Sequence, residues 1–220
     1  MTIYFYDEKI KDHLISISDL NYADEKTKEK EIKFILENSA KFDFDILNQK
    51  EIFIIDTFST FTESLKSLTV RKGFVPFLEH YKKLGKKLYI NTDALEIKDS
   101  NWADFYCDQL KIPRKLIDDF FGCGMKYFMN FNDSESIKYE VSLWGDDAYP
   151  HPEFIQADVS YKLFKKWAYE KKVPLEKAIV IADGRTEMRS SLVSGVDLLV
   201  VPYMGMMEKE VPFTFRDLYS

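Results

Sequence analysis

The chain has 220 residues, 45% of them hydrophobic and 15% aromatic, and a formal net charge of −6. This is apolar material enough for one sizeable α/β core and too much for a disordered chain. The acidic balance argues against a general nucleic-acid surface, which shows itself as a basic stripe, and no apolar run reaches the length of a bilayer span.

Lysines do cluster, around residues 26–33, 82–87 and 162–172. Each cluster is mixed with glutamate or falls on the outer side of an expected helix, so it reads as a solvated face. Residues 1–10 lack the basic-then-apolar layout of a signal peptide, and two cysteines, Cys107 and Cys123, make neither a metal nor a disulfide framework. The expectation is a cytoplasmic protein with reduced thiols, bound to no membrane and no nucleic acid. A protein partner is left open.

In chain order, residues 2–6 read as a short strand and 24–38 as a charged helix with Ile32, Phe34, Ile35 and Leu36 to bury. Residues 1–50 carry no nameable motif and read as an N-terminal extension packed on the domain. The αβ alternation begins at residue 51. Ile52, Phe53, Ile54 and Ile55 form a continuous apolar run ending at Asp56, which suits a strand buried on both faces. Residues 74–84 have a helical apolar period, with Pro76 in the first turn and Gly85 past the end. Residues 87–91 form a second core strand, 102–110 and 114–121 read as helices, and 127–131 as a third strand. Residues 137–144 alternate weakly, as a hairpin arm would, before a turn at Gly145, Asp146 and Asp147. A helix is expected over 158–171 and a fourth strand over 178–182, ending at Asp183. A short helix over 186–194 is closed by Gly195, and a fifth strand covers 197–201. Strands alternating with helices over short links predict a three-layer α/β fold around a mostly parallel sheet.

Ligands of open parallel sheets bind beyond the carboxyl ends of the strands. The candidate residues are therefore Asp56, Thr57 and Phe58, then Asn91, Thr92 and Asp93, then Asp183 to Glu187, each group directly following an apolar strand. Thr57 and Asn91 are the candidates for substrate contact. His151 between Pro150 and Pro152, the pair Asp146 and Asp147, and Trp102, Trp144 and Trp167 read as loop, turn and packing residues.

These groups resemble, in order, the motifs of the haloacid dehalogenase superfamily. Asp56, Thr57, Phe58, Ser59 and Thr60 stand where that family has an aspartate, a variable residue, a second aspartate, then glycine and threonine. Thr92 matches its strand-end hydroxyl, and Ala182, Asp183, Gly184 and Glu187 match its closing acidic motif with alanine for a glycine. The match covers about residues 51–203. The resemblance implies a Rossmann-like core over 51–220, with a small cap or insertion at about 95–155. It also implies a Mg²⁺-dependent, phosphatase-type hydrolase acting on a small phosphorylated molecule. By the same resemblance Asp56 is the nucleophile. Asp56, Asp183 and the backbone carbonyl of Phe58 bind Mg²⁺, and Thr92 and a lysine neutralise the phosphoryl group. Spacing from Asp183 lands near Ser160, which makes Lys162 the candidate lysine; the alternative is one more solvent-facing lysine beside Lys165 and Lys166. Glu187 supports the metal through water or Thr92, or else caps its helix.

Two departures bear on activity. Phe58 replaces the family's proton carrier, and Ser59 replaces the glycine of the turn, so a reshaped loop is expected there. The first reading is thus a phosphatase of weakened activity. The second is a catalytically silent pseudo-phosphatase that works by binding. A third is carbon-centred hydrolysis, since true dehalogenases of the superfamily carry an aromatic at the position of Phe58. Their cap lies between the first two motifs, however, where this chain has only about thirty residues.

Overall fold

The computed structural model describes residues 1–16, 25–57, 59–62, 69–92, 102–122, 172–184, 187, 188, 191, 194–205 and 207–219. Among them are seven strands: β1 (Ile3–Phe5), β2 (Ser39–Lys41), β3 (Ile52–Asp56), β4 (Lys87–Thr92), β5 (Asp119–Gly122), β6 (Ala178–Ala182) and β7 (Asp197–Val200). They form one sheet in the order β2-β1-β7-β6-β3-β4-β5, and every pairing is parallel.

The sequence pattern explains the middle of this sheet. Every residue of β3 and β6 is buried, as continuous apolar runs demand when both faces are covered. Side chains alternate between two cores. Ile52, Ile54, Val180, Leu198 and Val200 pack on one face with Ile10, Leu14 and Ile35 from α1 (Glu8–Ser16) and α2 (Glu25–Asn38). Phe53, Ile55, Ile179 and Ile181 pack on the other with Leu47 of α3 (Phe44–Gln49), Phe77 and Tyr81 of α4 (Phe74–Lys83) and Cys107 of α5 (Trp102–Leu110). The result is the expected three-layer α/β arrangement.

Residues 1–50 supply α1, α2 and α3 and also β1 and β2, and β1 pairs with β7 in register from Ile3 with Leu198. Strand β2 is a short edge ending in the exposed Lys41, a charged finish that discourages further pairing. Within α2, Ile35 is buried as expected, but Leu36 is 53% exposed because the helix turns it about 100° away from Ile35.

One expected helix is not formed. Over 114–121 the chain makes a single 3-10 turn, Arg114–Leu116, after Pro113, then extends at Ile117 into β5. Tertiary partners outweigh local helical preference here. The Asp118 carboxylate accepts from the Leu88 N–H at 2.8 Å and pairs with Lys82 and Lys87, which draws the chain out alongside β4. The strand beside β4 is therefore Asp119–Gly122. Residues 127–131, the hairpin arm at 137–144, the helix at 158–171, His151, Asp146 and Asp147 lie outside the described residues. No helix among the described residues is long and apolar enough to cross a membrane.

Candidate active site

Adjacent strands β3 and β6 end side by side, so the sheet delivers Asp56 and Asp183 to the same edge. Asp56 is the last residue of β3, 5% exposed, and in register with Asn91 of β4. Thr57, next in the chain, is fully buried, and its hydroxyl donates to Asn91 O at 2.6 Å, pinning the end of β3 to the end of β4. The Asn91 Oδ1 is buried and takes no hydrogen bond from any described residue.

Past Thr57 the chain reverses tightly. The N–H groups of Phe61 and Thr62 donate to Thr57 O at 3.1 and 3.0 Å, and Ser59 N–H donates to Thr62 O at 2.7 Å. Ser59 has φ +58°, the left-handed region that glycine enters freely and a serine enters at about 1–2 kcal/mol. The turn thus holds a serine in a backbone conformation that glycine enters freely. Its far end is anchored by Phe61, stacked on Phe74 with ring centres 4.0 Å apart.

This turn places Thr60 between the two acids. Its Oγ1 lies 3.0 Å from Asp56 Oδ2 and 2.9 Å from Asp183 Oδ1. Glu187 completes the group: one carboxylate oxygen each from Asp56, Asp183 and Glu187 lies within 4.8 Å of the others. Glycine at 184 leaves room for this, since a Cβ there would stand 3.3 Å from Glu187 Oε2. Burial pushes the Asp183 carboxyl up to about 6, against the pull of the Thr60 hydroxyl, its own backbone N–H and the Arg71 charge. Three converging carboxylates, two of them buried, are a hard-oxygen donor set with excess negative charge, and they suit a divalent cation.

Of the residues singled out in the sequence, Asp56, Asp183, Thr57 and Asn91 come together here. Thr92 closes β4, paired with Gly122 of β5. Phe58 and Lys162 lie outside the described residues. The bridging position of Thr60 and the burial of Arg71, 3% exposed, leave no signal in the sequence pattern. Glu187 stands four residues past Asp183, within the acidic motif that the resemblance marks. Burial lowers the Arg71 pKa from its ordinary value, while the charges of Glu208 and Asp183 act the other way.

No protein-family model matches the chain. Nor does any curated protein. Among solved structures, it is similar to 4-nitrophenylphosphatase from Thermotoga maritima at 14% identity and TM-score 0.43, covering 77% of this chain and 93% of that one. It is similar to the cobalt-bound form of the deoxy-D-mannose-octulosonate 8-phosphate phosphatase from Haemophilus influenzae at 10% identity and TM-score 0.43, covering 79% and 86%. An uncharacterized protein from Listeria monocytogenes serotype 4b gives 12% identity and TM-score 0.44, covering 68% and 77%. Likeness of this degree says nothing of substrate or activity. What the structure shows is a three-layer α/β fold around a parallel sheet, with Asp56, Thr92 and Asp183 at or just past the carboxyl ends of β3, β4 and β6.

Proposed function

We propose that this chain is a Mg²⁺-dependent hydrolase of phosphate esters of small molecules, with Asp56 as nucleophile. One observation carries the reading: the carboxylates of Asp56, Asp183 and Glu187 converge within 4.8 Å beyond two adjacent central strands. Asp56 and Asp183 would hold the ion with the backbone carbonyl of Phe58, and Glu187 would support it. When bound, the ion offsets the repulsion between these carboxylates and the phosphoryl oxygens.

The chain's own residues supply the remaining chemistry. A carboxylate oxygen of Asp56 bonds to phosphorus as the ester P–O bond breaks, and the electron pair departs with the alcohol oxygen. Water then attacks the aspartyl-phosphate at phosphorus, which releases inorganic phosphate and restores Asp56. Thr92 and Lys162 would face the phosphoryl group, with Thr57 and Asn91 beneath the substrate. Phenylalanine at position 58 has no proton to give, so the leaving group draws on solvent. The lost acid–base residue costs about 10²- to 10⁴-fold in rate, least for esters whose leaving group departs unprotonated.

The identity of residue 58 also favours a second reading, a silent pseudo-phosphatase that keeps the metal site and acts by binding. A screen of phosphate esters with Mg²⁺ or EDTA, on wild type and Asp56→Asn, separates the two. Phosphate release that needs both Mg²⁺ and Asp56 supports the hydrolase. Calorimetric Mg²⁺ binding without release supports the binding protein.

A further inference from the structure

The segment after β7 reaches back to the turn that follows Asp56. Met204 N–H donates to Ser59 O at 2.8 Å, Arg71 N–H to Phe61 O at 2.8 Å, and Phe215 N–H to Lys72 O at 3.0 Å. The Arg71 side chain lies at the centre of this junction. Its Nη2 donates to Pro202 O at 2.7 Å and reaches Ser59 O at 3.5 Å, and its Nε stands 3.1 Å from Glu208 Oε1. The guanidinium carbon lies 5.0 Å over the Phe213 ring, and Nη1 is buried with no hydrogen-bond partner among the described residues.

A charge this deeply buried is stable only where it is paired, and the planar guanidinium fork can hold two carbonyls and a carboxylate at fixed angles where a lysine cannot. Its partners belong to two different parts of the chain, the turn at Ser59 and the segment 202–208. Ser59 is also the strained left-handed residue, and the next residue, Thr60, touches both Asp56 and Asp183. Whatever fixes the Ser59 carbonyl therefore fixes the hydroxyl between the two acids.

We propose that Arg71, paired with Glu208, is a positioning residue. It latches the 202–208 segment onto the Ser59 turn and so holds Thr60 in register with Asp56 and Asp183. The kinetic consequence rests on the phosphatase reading; the latch itself does not.

The test uses the full chain as wild type, Arg71→Lys, Arg71→Met and Glu208→Gln. Three quantities are measured: thermal melting, hydrogen–deuterium exchange of the 59–62 amides, and turnover of an aryl phosphate with Mg²⁺. Arg71→Lys should lower kcat at least about tenfold with KM within about twofold, because alignment rather than affinity is lost. The 59–62 amides should exchange at least about tenfold faster in the same variant. Glu208→Gln, altered at a partly exposed position and expected to fold even if Arg71→Met does not, should show the same pattern to a smaller degree. Folded Arg71→Lys and Glu208→Gln proteins with a lower Tm, but with wild-type exchange at 59–62 and wild-type kcat, would overturn the latch. A wild type that cleaves no phosphate ester removes the hydrolase reading alone, and exchange at 59–62 then decides the latch.

Discussion

Asp56 and Asp183 are joined through one hydroxyl, with Thr60 Oγ1 3.0 Å from Asp56 Oδ2 and 2.9 Å from Asp183 Oδ1. A hydroxyl has one proton to donate, so it serves only one of these oxygens as a donor. The other contact becomes favourable when a carboxyl is itself protonated, in keeping with the Asp183 pKa of about 6 that burial produces. A bound cation would remove the need for that proton.

Thr60→Val keeps the shape of the side chain and removes the donor. The buried Asp56 and the partly buried Asp183 then face each other without the hydroxyl, and stability in EDTA at pH 8 should fall by about 1–3 kcal/mol. Urea unfolding of wild type and variant measures the difference.

Asp183 sets a pH dependence whose sign is fixed. Burial raises its folded pKa from 3.8 to about 6, so the folded protein holds that proton more tightly than the unfolded chain. Its favourable contribution is complete below pH about 4, is lost as pH rises through 6, and leaves the ionised group a net cost above that. In EDTA at pH 8, Asp183→Asn should therefore be the more stable protein, by about 1–3 kcal/mol. Added Mg²⁺ should reverse the order by raising the Tm of wild type at pH 8, not at pH 5, and leaving Asp183→Asn unchanged. Thermal melts with and without Mg²⁺ at the two pH values give the answer.

Phe58→Asp restores a proton carrier at the position where the resemblance expects one. It should raise kcat on alkyl phosphates by about 10²- to 10⁴-fold and on aryl phosphates by less. Steady-state rates on one ester of each kind check both the size and the order of the gain.

Gly73 caps the start of α4 at φ +84°, and a Cβ there would lie 2.8 Å from the Arg216 backbone nitrogen and 2.9 Å from Arg216 Cγ. Gly73→Ala combines left-handed strain with a backbone clash and should cost about 2–4 kcal/mol. The loss should appear as a lower denaturation midpoint at an unchanged m-value.

The sequence by itself determined the central strands and the chemistry at their ends. Runs such as 52–55 and 178–182 are short, apolar throughout and rich in β-branched residues, which suits a strand covered on both faces, and a carboxylate ending such a strand lies at the sheet's carboxyl edge. Only the tertiary structure decided which edges meet. Ile3 pairs with Leu198 almost two hundred residues away, and no local pattern encodes that register. The strand at Asp119–Gly122 exists because Asp118 finds Leu88, Lys82 and Lys87, partners that a helical reading of 114–121 could not include. Thr60 and Arg71 sit in a polar stretch with no periodicity. Their roles come from the closure of one turn against the chain beyond β7, where burial turns a single hydroxyl and a single guanidinium into fixed partners.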